Sequence, residues 1–178
     1  MDNIILKTNR TEMKFPLEFI KAEDIVEAIG DEETTKFMDS APKNYTLKDA
    51  EKFMGFLRAT RKSEKYLQLG VFDDKTGQFI GMCTLEAINI ENHTCDLGYW
   101  LSKKFTGKGY MTECATALIQ FAKEKLNLKT IAAFVITEHV KSINLLERLG
   151  FERKELLVNN TVNNGHLVNR YLYELNCE

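Results

Sequence analysis

"KKFTGKGYM", residues 103–111, sits between two different periodicities. Upstream, "TCDLGYWL" has the apolar, aromatic character of a strand, read over 95–101. Downstream, Met111, Cys114, Ala115, Leu118, Ile119 and Ala122 form one stripe at helical spacing, which predicts a helix from about 107 to 126. The stretch is therefore a strand-to-helix turn. A helix start leaves backbone N–H groups without partners and carries positive potential. Gly107 and Gly109 let the chain curl there, so that successive amides can point at one oxygen-rich anion, best a pyrophosphate. Two glycines alone read better as a plain connecting loop. The better-known phosphate motifs are not spelled here: no Gly-Lys-Ser/Thr follows, and a third fingerprint glycine is replaced by Thr112.

Working outward, the middle of the chain is extended. "YLQLGVFD", "FIGMCTLEAIN" and the strand over 95–101 are linked by "DDKTGQ" and "IENH", an antiparallel meander. "YLQLGVFD" alternates as a strand should. Before it, "IILKTNRTEMKFPLEFI" is extended, in two short pieces with a turn near residues 9–11, and "KAEDIVEAIG" is a short helix closed at Gly30. Leu47, Ala50, Phe53, Met54 and Leu57 give an amphipathic helix with Thr46 as N-cap. After the central helix, "TIAAFVI" is a buried strand and "HVKSINLLERLGF" a short helix capped by Gly150. "FERKELLVNN" and "HLVNRYLYEL" close the chain as strands. The class is mixed α/β (α+β): about seven strands and about four helices. In order they run strand, two helices, three strands, helix, strand, helix, two strands.

The chain has 178 residues, which suits a single domain over 1–178. With 24 basic against 26 acidic side chains, it lacks the basic surplus of a general nucleic-acid binder. The N-terminal residues, with Asp2, do not read as a signal peptide, and no run reaches the ~20 apolar residues of a membrane span. Cys83, Cys95, Cys114 and Cys177 have no metal-ligand spacing with the histidines, and read as reduced packing thiols of a cytoplasmic protein.

Three motifs in order carry a resemblance. Lys104-Phe105-Thr106-Gly107-Lys108-Gly109 resembles the Arg/Gln-x-x-Gly-x-Gly/Ala signature of the GNAT N-acetyltransferases. Gly109-Tyr110-Met111-Thr112-Glu113-Cys114 is similar to the continuation found in the RimJ/RimL ribosomal-protein branch. "DLGYWL" and "SINLLERLGF" resemble that branch's preceding strand and its late helix. The element order is also that of the GNAT fold.

The resemblance implies acetyl-CoA as co-substrate, no metal, and direct transfer of acetyl to an amine. It implies that Lys104, Phe105, Thr106, Gly107, Lys108, Gly109, Tyr110, Met111 and Thr112 border the pyrophosphate. Lys104 stands where Arg or Gln is usual, and keeps the cation without the planar fork. Lys103 is a further nearby cation. The strand carrying Gly98–Leu101 is expected to splay from strand 130–136, with pantetheine in the opening beside Tyr99, Trp100 and Leu101. A bulge at Gly98 would aim the backbone at the thioester. His139, at the family's usual Asn position, is a pantetheine neighbour that could titrate near neutrality.

Amine acetylation needs a base, a stabilised carbonyl oxygen and a hydrogen for the departing sulfur. The resemblance points to Asp96 as base, with Glu86 across the hairpin as rival base and amine binder. Asp96 alternatively only binds the substrate ammonium. Ser142 is the candidate donor to sulfur and a cofactor contact. It could instead be a simple cap, and Leu146 holds no hydroxyl where many relatives carry a tyrosine acid. Glu113 is read as a helix-start acid, and His93 and His166 as solvated. The final hairpin has Asn169 where this branch often has an acid. The acceptor is expected to be a protein or peptide N-terminus; a small amine or a non-catalytic CoA sensor are the alternatives. Glu23, Asp24, Asp31, Glu32 and Glu33 give the early helices a negative cast that would suit a cation. A homodimer is left open, with no nucleic acid or membrane partner.

Overall fold

The computed structural model describes residues 4–30, 32–39 and 41–177. Asp2 and Asp31 lie outside them. One sheet of eight strands runs in the order β1-β2-β3-β4-β5-β6-β8-β7. The strands are β1 (Ile5–Lys7), β2 (Thr11–Lys14), β3 (Leu67–Asp73), β4 (Phe79–Asn89), β5 (Thr94–Leu101), β6 (Thr130–Ile136), β7 (Glu152–Asn163) and β8 (His166–Asn176). Among the described residues five α-helices flank it: α1 (Ala22–Ile29), α2 (Glu32–Thr35), α3 (Leu47–Thr60), α4 (Tyr110–Leu126) and α5 (Val140–Arg148). Every strand pair is antiparallel except β5 with β6. The extra strand arises because the opening extended segment is two paired strands. The extra helix is the single turn α2, too short to show a stripe.

The sheet has two differently covered faces. On one, Met111, Cys114, Ala115, Leu118 and Ala122 of α4 pack with Leu69, Val71, Cys83, Leu85, Cys95 and Leu97. On the other, Ile25 and Ile29 of α1 and Ala50, Met54 and Leu57 of α3 pack with Phe72, Phe79 and Met82. β3 is consequently buried along its whole length. Leu47 points away at the start of α3, although it shares the helical spacing. Thr46 caps α3 as expected, accepting from the Asp49 amide while Asp49 accepts from the Thr46 amide. All four cysteines are buried free thiols.

Three further expectations shift. The central helix begins at Tyr110, because Gly107 and Gly109 adopt φ of +73° and +83° and keep the turn non-helical to that point. Phe134 of β6 is exposed, since no helix covers its face of the sheet there. The bulge lies in β4, between Glu86 and Asn89, where Ala87 takes a φ of +48°. β5 pairs with β4 without interruption from Asp96 to Leu101, so Gly98 is not its site. Gly98 answers a different demand: a Cβ there would lie 2.7 Å from Thr84 Oγ1.

Candidate active site

β5 and β6 run together for only three residue pairs, Thr94 with Thr130, Cys95 with Ile131 and Asp96 with Ala132. Beyond these β5 stays with β4, and β6 stays with β8 as far as Ile136. The sheet therefore opens into a V after Asp96. Along the opening, the edge of β5 that faces β6 has no ladder partner, so its backbone polar groups are available.

Beyond the tip of β5 a short 3-10 turn, Lys103–Phe105, leads into the glycine turn. No side chain caps α4. Its first-turn amides have no intrahelical acceptors. A Cβ on Gly107 would meet nothing within 4 Å, so its surroundings are open. These features fit a bound diphosphate. Several predicted cofactor side chains are engaged elsewhere, which leaves their backbones as the part that could face it. Met111 is in the core, and Leu101 packs against it. Phe105 meets Tyr110 edge-on at 5.4 Å, and Tyr110 donates to Asp73 at 3.4 Å. The Thr106 hydroxyl donates to the Lys103 carbonyl, and Thr112 is half-buried. Lys108 Nζ donates to the Lys104 carbonyl at 2.7 Å, while the Lys104 side chain is exposed. Lys103 pairs with Glu33 at 3.3 Å.

Sequence reading missed Arg10. It reaches from the β1–β2 turn, lies 4.1 Å above the Tyr110 ring, and donates through Nε to Glu113 at 2.8 Å. Glu113 thus ties the start of α4 to the first hairpin, a structural role as expected.

On the α4 side of the opening, Tyr99 and Ser142 meet: their hydroxyls are 2.7 Å apart. Ser142 sits in the first turn of α5 and is buried. Burial pushes the Tyr99 phenol up, so it stays protonated. His139, just before α5, stacks on Phe37 at 4.3 Å and 11°. Burial, and then Lys141, push its pKa down to about 4, so it is neutral near pH 7 and does not titrate there. His93 is tied down, its Nδ1 2.8 Å from the Asn127 carbonyl oxygen.

The other face holds the carboxylates. Glu86 and Asp96 are direct partners across β4 and β5. Alternation along β5 puts Asp96 on the same face as Gly98 and Trp100. Thr84 Oγ1 donates toward Glu86 Oε1 at 3.1 Å and lies 3.3 Å from the Gly98 carbonyl oxygen. Burial, then the neighbouring Glu86, raise the Asp96 pKa above the ordinary carboxylate value, against the opposing pull of Arg170. Glu86 opens into a cleft of about 990 Å³. Its floor includes Met82, Thr84, Gly98, Tyr99 and Trp100; α3 supplies Asp49, Lys52, Phe53 and Phe56; the segment before α3 supplies Met38, Asp39, Lys43 and Tyr45. The end of β7 and the β7–β8 turn close the far end with Val162, Asn164 and Gly165. Trp100 also packs edge-on against Phe79 at 5.7 Å.

The early acids are not the cleft's acids. Asp24 accepts from the Lys21 amide at the start of α1, Glu32 pairs with Lys43, and Glu33 with Lys103. Asp39 pairs with Arg170 at 3.0 Å. Among the described residues no group of three metal-ligating side chains occurs, and no helix is long and apolar enough to cross a membrane.

A mostly antiparallel sheet that parts between its one parallel pair, next to a glycine turn and a helix start, is the architecture of an N-acetyltransferase. Residues 16–152 match the family model of the acetyltransferase (GNAT) domain, and the chain belongs to that family. It is similar to the uncharacterised N-acetyltransferase p20 of Bacillus licheniformis, 28% identical over 170 residues, covering 96% of this chain and 94% of that protein. It is also similar to the [ribosomal protein uS5]-alanine N-acetyltransferase of Escherichia coli (strain K12), 30% identical over 102 residues, 57% of this chain and 53% of that one. In structure it resembles the microcin C7 self-immunity acetyltransferase MccE, solved in complex with acetyl-CoA and AMP. That likeness has a TM-score of 0.82 at 23% identity, over 95% of this chain and 93% of that chain. The protein is thus an N-acetyltransferase of a fold that uses acetyl-CoA.

Proposed function

We propose that this acetyltransferase moves acetyl from acetyl-CoA to the N-terminal amine of a protein or peptide. The observation that carries the reading is the cleft. It runs from Glu86, the cross-strand partner of Asp96, past the aromatic side of α3, to the β7–β8 turn. At about 990 Å³ it reaches the upper end of the ~300–1,000 Å³ usual for small-molecule sites. It is half-lined by apolar side chains, so several residues of an extended chain would fit. The similarity to an enzyme acting on ribosomal protein uS5 supports the same acceptor class.

Acetyl-CoA supplies a thioester carbonyl for direct attack. In this reading the amides of 107–112 hold its diphosphate, with Lys104 and Lys108 adding positive charge at the rim. The unpaired edge of β5 at Tyr99–Leu101 binds along pantetheine and supplies an N–H to the carbonyl oxygen as it gains charge. Glu86 binds the acceptor's ammonium and, with Asp96, takes its proton. Like charges directly opposite on a sheet are unfavourable, and one proton or one ammonium relieves them. Asp96, already raised, is suited to holding that proton. Ser142 hydrogen-bonds the departing sulfur.

A second reading, acetylation of a small cationic amine, draws on the acids Asp39, Asp49 and Glu86 in the same lining. Release of free thiol from acetyl-CoA separates the two. Peptides with a free α-amine should be consumed, and the same peptides carrying an N-formyl group should not. Turnover with polyamines or amino acids alone would replace the first reading by the second.

A further inference from the structure

The two hydroxyls at the β5–β6 opening have a hydrogen to spare. Tyr99 and Ser142 together carry two O–H hydrogens, and their contact at 2.7 Å uses one. Among the described residues neither hydroxyl meets any other partner. A serine in a helix commonly returns its hydrogen to a carbonyl one turn back. Here the Ser142 amide, not its hydroxyl, donates to the His139 carbonyl. The contact also joins the two arms of the V: Tyr99 stands on β5 past the last β5–β6 pair, and Ser142 on the helix that follows β6. Leu146, one turn further along α5, offers no hydroxyl and is buried.

We propose that Tyr99 is a positioning residue for acetyl transfer: its phenol donates to Ser142 Oγ and so turns the serine hydrogen into the opening, toward the departing sulfur. The inference rests on the reading of Ser142 given above. As the nitrogen–carbon bond forms, the carbon–sulfur bond breaks and its electron pair stays on sulfur. Two protons leave the ammonium nitrogen in all. The carboxylates take them and release them to water. Sulfur gains one from Ser142, which is restored from water, so the net release is one proton per turnover. A phenol held protonated by burial keeps its hydrogen available to donate throughout.

Tyr99→Phe keeps the ring and deletes the donor, and its folding is checked by its thermal midpoint. It should lower kcat at least tenfold while the acetyl-CoA KM, and its Kd by calorimetry, stay within twofold. Ser142→Ala should lower kcat similarly, Ser142→Thr should recover part of the loss, and the double variant should be no slower than Ser142→Ala. Independent packing roles would instead multiply. A Tyr99→Phe enzyme within twofold of wild type beside a slow Ser142→Ala, or multiplying losses in the double variant, overturns the role given to Tyr99. A fully active Ser142→Ala overturns the reading of Ser142 beneath it.

Discussion

The two faces of the opened sheet are built in opposite ways. The α4 face presents backbone: an uncapped helix start, two left-handed glycines and an unpaired strand edge, joined by one hydroxyl pair. The α1–α3 face presents side chains: two facing carboxylates, Thr84 and an aromatic cleft. The first suits a ligand that is the same in every turnover, because backbone amides do not vary with side-chain identity. The second suits a ligand that distinguishes one enzyme of the family from another. The difference teaches that cofactor and acceptor specificity can be broken separately.

The sharpest break should come from the carboxylate face. Glu86→Gln combined with Asp96→Asn removes both proton acceptors and should lower kcat/KM for the acceptor on the order of 100-fold. Acetyl-CoA affinity, measured by calorimetry, should hold. Equal loss on both axes would merge the two faces into one site.

The converse test is Gly109→Val. Its φ of +83° is strained for any β-branched residue, and a Cβ would sit 3.2 Å from Arg10 Nη2. Acetyl-CoA Kd should rise by about tenfold or more, taking the strain as ~1–2 kcal/mol, while the acceptor KM moves little.

A smaller effect concerns acidity. The folded Asp96 carboxyl is raised, so the native state holds a proton that the unfolded chain has already lost. Its ionisation therefore costs stability above the folded pKa, and the cost vanishes below the unfolded value of ~3.9. Asp96→Asn should raise the thermal midpoint more at pH 8 than at pH 4. In the wild type, turnover should fall as pH drops through the raised value, and the single variant should flatten that limb.

The smallest change tests separation itself. Thr46→Ala removes the cap of α3 behind the cleft, costing ~1 kcal/mol of stability. Kinetic constants for both substrates should stay within twofold.

The same division explains what could be read without coordinates. The architecture of the α4 face was legible because its parts are contiguous: strand, glycine turn and helix lie within residues 94–126, and glycine spacing reports backbone shape directly. Strand identities, the Thr46 cap and the facing of Glu86 and Asp96 followed from local period and hairpin register. The cleft was not legible, because its walls come from α3, the segment before it, β4, β5 and the last hairpin. No local spacing announces that Asp39 will meet Arg170 or that Phe37 will stack on His139. The His139 titration failed for the same reason, since Phe37, from the distant turn after α2, stacks on the buried ring. Arg10 was overlooked because its partner, Glu113, is 103 residues away. The bulge was assigned to Gly98 on residue type, whereas that glycine answers to the crowding of Thr84.

Because β5 and β6 share no ladder pair beyond Asp96 and Ala132 among the described residues, the gap is a window with a sill on each side, crossed by the Tyr99–Ser142 contact. On the function proposed above, traffic through it need not share a doorway: the carrier docks and departs by the helix side while the acceptor comes and goes by the cleft. A long polypeptide could therefore stay seated while spent carrier is exchanged behind it, an arrangement a single-mouthed pocket would forbid.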